Sequence, residues 1–300
     1  LIVCTTNLTH KVNMMIAITG ANGQLGRLVI QQLLNTVPAS HIVAAVRNLE
    51  NAQDLATLGV QLRLADYDQP SSLLNAFQGV DKVLLISSSE VGWRVPQHKA
   101  VIEAAKYAGV KLLAYTSLLH ADRSTLALAG EHLATEQLLA DSGLPYTLLR
   151  NGWYSENYLA AIPVALKYGA LAGCAKEGRI ASASRADYAA AAAAVLTKED
   201  QAGLVYELAG DEAYSLTELA AEISLQSGTT VVYQDMAEAD YYAMLQQAGL
   251  PDGLAHILAD SDTAASKGDL FDQSRQLSQL TGKATQSLKA AVADALALKN

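Results

Sequence analysis

Short runs of branched apolar residues alternate along the chain with longer segments whose apolar positions recur every three to four residues. The first run, Met15-Ile-Ala-Ile-Thr19, ends in glycines and passes directly into a pattern with Leu25, Leu28, Val29 and Leu33 on one helical face. A fully apolar run that turns straight into an amphipathic helix is the signature of a buried parallel strand. The alternation repeats: strands are expected at 15–19, 41–46, 61–64, 82–86, 111–115 and 146–149, with helices over 24–34, 51–58, 70–77, 96–108 and 131–141 between them. Strands separated by helices require right-handed crossovers and a parallel sheet, so the predicted class is α/β, a doubly wound Rossmann-type fold.

Beyond Arg150 the texture changes. Tyr154, Tyr158 and Tyr168 punctuate shorter apolar runs, and helices are expected over 215–227, 238–248 and 276–297. The expected division is a leading extension over 1–14, unstructured or a cloning remnant, a nucleotide-binding unit over 15–150, and a smaller substrate-binding region over 151–300. A strand at 205–208 can return to the first sheet, which blurs the boundary. The extension lacks the apolar stretch of a secretory signal.

Composition narrows the function. The chain has 300 residues, 51% hydrophobic and 17% charged, enough to build an ample core. A formal charge of -9 argues against duplex nucleic acid or an anionic membrane surface as partner. No window offers the roughly 18 uninterrupted apolar residues of a membrane span. The two cysteines, Cys4 and Cys174, stand far apart without metal-ligand spacing, which predicts a reducing compartment and no structural zinc.

The glycines after the first strand carry the chemistry. In Gly20-Ala-Asn22-Gly23-Gln24-Leu25-Gly26, Gly20 makes a tight turn, Gly23 lets the backbone approach a pyrophosphate, and Gly26 lets the helix pack on the strand. The helix amides then point at the anion. The spacing is Gly-x-x-Gly-x-x-Gly, and the strand before and helix after give it weight.

At the end of the second strand the chain reads Val46-Arg47-Asn48 where an NAD specialist places an acid for the ribose hydroxyls. The planar fork of Arg47 suits a 2′-phosphate, so the expected cofactor is NADP(H). Asp66 either receives an adenine amino group or opens a turn with Asp68 and Pro70. Ser87, Ser88 and Ser89, after the fourth strand, fall where the ligand crevice of such sheets runs.

A missing feature selects the substrate. Reducing a ketone makes an alkoxide whose conjugate acid has a pKa of about 16, so such enzymes supply a proton. Short-chain dehydrogenases use Tyr-x-x-x-Lys on the helix after strand five. Here that helix reads Glu131-His132-Leu-Ala-Thr135-Glu136, with His132 at the Tyr position and Glu136 at the Lys position. Glu136 raises an acid's pKa rather than lowering it. The literal match at Tyr107 and Lys111 spans a helix end at Gly109 and is discarded. Three readings stand: His132 is the acid, the substrate needs none, or the protein is not an enzyme. A quinone that accepts hydride becomes a phenolate-like anion, with a conjugate acid near the phenol pKa of about 10, which water can protonate. The plain alternative for His132 is a half-exposed helix residue paired with Glu136 one turn on.

Taken together, TGANGQLG at 19–26, Val46-Arg47-Asn48, Leu85-Ile-Ser87-Ser88-Ser89, Ala114-Tyr-Thr-Ser117, Glu131 to Glu136, Leu149-Arg-Asn151-Gly-Trp-Tyr154-Ser-Glu-Asn157 and Ser184-Arg-Ala-Asp187-Tyr resemble the NmrA-like atypical short-chain dehydrogenase/reductase family. Within it the resemblance is to the bacterial NADPH:quinone oxidoreductases, and more distantly to triphenylmethane dye reductases. The resemblance implies NADPH without flavin, two-electron reduction of a small-molecule quinone, a cytoplasmic home, no membrane insertion, and leaves a homo-oligomer open. By position it places the cofactor on Gly20, Asn22, Gly23, Gln24, Leu25, Gly26, Arg47, Ser87, Ser88, Ser89 and Asn151. It places the substrate on Trp93, Tyr154 and Asn157, with Asn157 and His132 as catalytic candidates. The family's rival role, sensing NADP(H) to regulate a partner, fits the same motifs.

Overall fold

A computed structural model describes residues 14–297 of the chain. The expected leading extension lies outside the described residues except for Met14, which is half-buried against the core of the sheet.

The first half follows the predicted alternation: β1 (Ile16–Ile18), α1 (Gln24–Leu33), β2 (Ile42–Val46), α2 (Gln53–Thr57), β3 (Gln61–Leu64), α3 (Pro70–Ala76), β4 (Lys82–Leu85), α4 (Arg94–Tyr107), β5 (Leu112–Leu118), α5 (Ala129–Ser142) and β6 (Tyr146–Asn151). The second half continues with α6 (Ser155–Leu159), α7 (Ile162–Tyr168), β7 (Ala170–Gly173), α8 (Arg185–Thr197), β8 (Val205–Leu208), α9 (Leu216–Ser227), β9 (Val232–Asp235), α10 (Glu238–Gln247), α11 (Asp252–Ser266), α12 (Gln276–Thr281) and α13 (Leu288–Ala297).

Seven strands form one sheet in the order β3-β2-β1-β4-β5-β6-β8, and every pairing is parallel. The order reverses between β1 and β4, which opens a crevice at the carboxyl ends of those strands. Alternate strand residues feed opposite faces: Ile16 and Ile18 join α1, Tyr188 and Val195, whereas Ala17, Val83 and Leu85 join Phe77, Val101 and Leu139. Burial on both faces explains why these strands read as unbroken apolar runs.

The chain after β6 serves both layers. Helix α8 is stopped at its start by a capping box, Ser184 with Asp187, and packs on α1, while β8 extends the sheet beside β6. Helix α12 packs on α8 and β8, and the remaining elements wrap a separate core of Ile162, Leu171, Leu216, Ile223 and Val292 around the two-stranded parallel sheet β7-β9.

The second half departs from the expected pattern: α6, α7, β7 and β9 have no counterpart in it, and two further features differ. The single helix expected over 276–297 is two helices, α12 and α13, because Gly282 adopts φ +71° and closes the first. Helix α11 was not anticipated; its buried positions include Ala255, Ala259, Ala264 and Ala265, too small to mark a strong apolar stripe.

Candidate functional site

The glycine turn sits where β1 feeds α1. Gly20 has φ +58°, the left-handed region that disfavours side chains. A Cβ on Gly26 would lie 2.5 Å from the Gly20 carbonyl oxygen, so only glycine lets the helix pack there. Gly23 is the N-cap of α1 and supplies no side chain to it, which leaves the first helical amides for an anion. A crevice of about 440 Å³ opens over this turn, lined by Gly20, Asn22, Gly23, Arg47, Ser87, Ser88 and Ser89. Gln24, Leu25 and Gly26 do not line it: Leu25 is buried in the core, and Gly26 is packed against the turn. The Asn22 side chain is held by Arg27, which also pairs with Asp54.

Arg47 reaches into the far end of this crevice and pairs with Glu90 at 2.6 Å. That ion pair joins the loop after β2 to the loop after β4. Asp66 lines the same end while its carboxylate accepts from Asp68 N at 3.1 Å and from Gln69 Nε2 at 2.7 Å, so the turn role is present. Tyr67 was missed from sequence. Its hydroxyl donates to Thr19 Oγ1 at 2.7 Å, and burial pushes its pKa up to about 12, fixing it as a neutral wall.

Side chains of α4 grip the serine loop from below. Ser88 N donates to His98 Nε2 at 2.9 Å, which places the ring proton on Nδ1, facing Thr135 Oγ1 at 2.9 Å. Arg94 Nε donates to the Ser88 carbonyl at 2.6 Å. Ser88 is therefore held through both its main-chain groups, and Thr116 Oγ1 accepts from Ser87 N at 2.8 Å. A lone His and Arg on a helix carry no sequence signal of this role.

Ser87 and Ser89 also line a second cavity of about 630 Å³, so the two form one continuous crevice. Asn151, Trp153, Tyr154 and Asn157 line it, with Leu254 and Ile257 of α11 opposite. Asn151 is thus at this end, away from the glycine turn, and its Oδ1 is buried without a partner. Asn157 Oδ1 accepts from Arg185 Nη2 at 3.0 Å, which turns the amide NH2 the other way. The Arg185 guanidinium stacks 4.5 Å over the Tyr154 ring. Trp93, expected at the substrate, lies outside the lining of both cavities. It is the N-cap residue of α4 and 67% exposed.

His132 and Glu136 do not form the expected surface pair. Both are buried, at 5% and 7% exposure, and each enters a different network. His132 Nδ1 meets the Tyr115 hydroxyl at 2.8 Å, and its Nε2 stands 3.5 Å from Arg94 Nη1. Burial, then the charge of Arg94, push its pKa down to about 3, so it is neutral and holds no acidic proton at physiological pH. Glu136 accepts from Ser117 Oγ at 2.6 Å and pairs with Arg150 at 2.7 Å. Tyr107, in the discarded match, is exposed, and Lys111 pairs with Asp81 at 2.8 Å.

The donor set fits a nicotinamide dinucleotide phosphate: uncapped helix amides for the pyrophosphate, Arg47 for a 2′-phosphate, and an orphaned Asn151 oxygen for the carboxamide. Among the described residues no cluster of three or more His, Cys, Asp or Glu side chains is placed to hold a metal. No helix among them is long and apolar enough to cross a membrane.

Residues 20–199 match the family model described as NAD(P)H-binding. The chain is 61% identical to quinone oxidoreductase 2 of Escherichia coli over 286 residues, covering 95% of this chain and 100% of that protein. The crystal structure of the NADPH-dependent quinone oxidoreductase of that organism in complex with NADPH superposes with a TM-score of 0.92, over 95% of this chain and 100% of that one. The triphenylmethane reductase of Citrobacter is 41% identical with a TM-score of 0.91, over 95% of this chain and 100% of that one.

Proposed function

Because the chain belongs to the NAD(P)H-binding, NmrA-like family of oxidoreductases, we propose that it is an enzyme reducing small-molecule quinones with NADPH, by direct hydride transfer and without flavin. The observation that carries this reading is the continuity of the crevice. It runs from an uncapped helix N-terminus, past the Ser87–Ser89 loop, into a cavity walled by Trp153 and Tyr154, the span a dinucleotide and a flat acceptor need.

When bound, NADPH supplies a hydride from its nicotinamide ring. The chain's residues do the positioning. The glycine turn and Arg47 hold the two phosphorylated ends, and Ser87 to Ser89, fixed by His98 and Arg94, set the depth of the ring. Asn151 Oδ1 accepts from the carboxamide. Asn157 offers its NH2 to a quinone oxygen, an orientation that Arg185 imposes. Tyr154 supplies a flat wall. Neutral His132 acts by supporting Tyr115 and Arg94, not as an acid, because a group with a pKa of about 3 carries no ionisable proton at pH 7. The smaller unit, built on β7-β9 with α10 and α11, closes the acceptor side. A reducing, cytoplasmic setting fits an enzyme that draws on NADPH.

Stopped-flow absorbance at the NADPH band, with and without benzoquinone, tests the reading. Rapid NADPH loss that depends on quinone, from protein without a flavin spectrum, is expected. NADPH that binds and is oxidised by none of a series of quinones would instead favour an NADP(H)-sensing binding protein.

A further inference from the structure

Hydride transfer to a quinone leaves one acceptor oxygen negative until a proton arrives from water. The second cavity holds two cations, Arg94 and Arg185. Arg185 is committed to Asn157 at 3.0 Å, to Glu156 at 3.4 Å, and to the face of Tyr154. Arg94 is not. It is only 8% exposed, yet among the described residues it forms no ion pair. Its Nε is spent on the Ser88 carbonyl and its Nη1 stands 3.5 Å from His132, while Nη2 makes no hydrogen bond among the described residues.

Burial lowers its pKa, and the charge of Glu131 acts to raise it; a guanidinium stays protonated throughout. A buried cation without an ion-pair partner is costly even with the charge of Glu131 acting on it from beyond ion-pair distance, and an anion formed beside it offsets that cost. The Ser88 anchor fixes the guanidinium before the reaction, which is the condition for strong electrostatic stabilisation.

We propose that Arg94 is a catalytic residue whose guanidinium receives the oxyanion that forms on the acceptor, a role that rests on the quinone-reductase reading above. In the step, a C–H bond of the reduced nicotinamide breaks and both its electrons pass with the hydrogen to the quinone. The nicotinamide is oxidised, and the quinone is reduced to the hydroquinone monoanion. Water then donates the second proton, and Arg94 keeps its own. This places a fixed charge 3.5 Å from His132, the position at which related dehydrogenases carry an acid, and it selects acceptors that turn anionic over cationic ones.

The test compares the wild type with Arg94→Met and Arg94→Lys, using 4-nitrophenol as a probe because its ionised and neutral forms absorb at different wavelengths. In the presence of NADP, the wild type is expected to bind the phenolate in preference to the phenol. Arg94→Met loses that preference, and Arg94→Lys restores part of it. With benzoquinone, kcat/KM of Arg94→Met falls about 100-fold, while NADPH affinity by fluorescence titration shows that the Ser88 loop is still in place. If Arg94→Met weakens NADPH binding, Arg94→Lys decides: a lysine variant that binds NADPH but shows no phenolate preference overturns the proposal. Unchanged phenolate preference and rate in Arg94→Met overturn it as well. A wild type that prefers phenolate but oxidises NADPH with no quinone removes the reductase reading and leaves the anion site standing.

Discussion

Glu136 meets Arg150 in a two-point ion pair, Oε2 to Nη2 at 2.7 Å and Oε1 to Nε at 3.0 Å. The same Oε1 accepts from Ser117 Oγ, and the other end of Arg150 reaches Glu207 at 2.9 Å and Asp122 at 3.1 Å. The position one helical turn after His132, where a lysine would lower a tyrosine's pKa, is therefore part of a closed ionic network that clamps α5 to β6.

Removing one charge from this network exposes its structural character. Glu136→Gln keeps the shape but leaves Arg150 short of a buried partner, and is expected to lower stability by about 2 kcal/mol in urea unfolding. NADPH affinity should not change, since Glu136 lines neither cavity. A variant as stable as the wild type, or one that loses cofactor binding, would remove this assignment.

Arg47 and Glu90 make a second testable pair. The 2.6 Å contact occupies the guanidinium that a 2′-phosphate would take, so the phosphate competes with Glu90 for it. Arg47→Glu is expected to weaken NADPH binding by at least about tenfold, roughly 1.4 kcal/mol, and to spare NADH. Glu90→Gln releases Arg47 and should tighten NADPH a few-fold. Calorimetric titration with both cofactors reads these effects; equal losses for NADPH and NADH in Arg47→Glu would reject the role.

Legibility followed the scale of the interaction. The sheet was readable because burial on both faces leaves runs such as Ile42–Val46 with no polar residue, and the turn was readable because Gly20 and Gly26 answer local steric demands. The clamp on Ser88 was not, because His98 and Arg94 look like ordinary helix residues until the fold brings β4 and α4 together. The same holds for His132. Its spacing to Glu136 suggested a surface pair, but α5 packs both residues inward, toward Tyr115 and Arg150. Trp93 misled in the other direction, since a large aromatic near the loop proved to be solvent-facing.

Two buried imidazoles predict how the protein responds to acid. His98 and His132 are both held down to about 3, by burial first and then by Arg94, whereas an unfolded histidine titrates near 6.5. Below that value the unfolded chain takes up protons that the native state refuses. Their contribution to stability is therefore whole above about pH 7 and shrinks as pH falls, by about 2 kcal/mol per residue at pH 5. Catalysis should show no matching titration: kcat/KM with benzoquinone is expected to be flat from about pH 6 to 8. A limb with a pKa of about 6.5 would restore His132 as the acid.

Asp262 runs the opposite way and can be separated from the histidines. It lies on α11, whose earlier turns carry Leu254 and Ile257 to the acceptor cavity, and it ties that helix to the smaller unit. Oδ2 accepts from Cys174 N at 3.0 Å and Oδ1 from the Tyr158 hydroxyl at 3.1 Å. Burial outweighs these bonds and lifts its pKa to about 6, above the ordinary 3.9. Between about pH 4 and 6 the native state holds a proton that the unfolded chain has released. Its contribution is thus most favourable below pH 4, falls as pH rises, and above about pH 6 leaves a penalty of about 3 kcal/mol. Asp262→Asn keeps an acceptor for Cys174 N–H, offers an NH2 to the Tyr158 oxygen, and is neutral at every pH. The variant is expected to be more stable than the wild type at pH 8 and to lose that advantage by pH 4, as measured by urea unfolding at both. With this group silenced, the loss of stability between about pH 7 and 5 reports the two histidines, since the lowered carboxyls of Asp54 and Asp81 act only at more acidic pH. An advantage of equal size at both pH values would mean that the pKa of Asp262 is the same in the native and unfolded states, so that burial does not raise it.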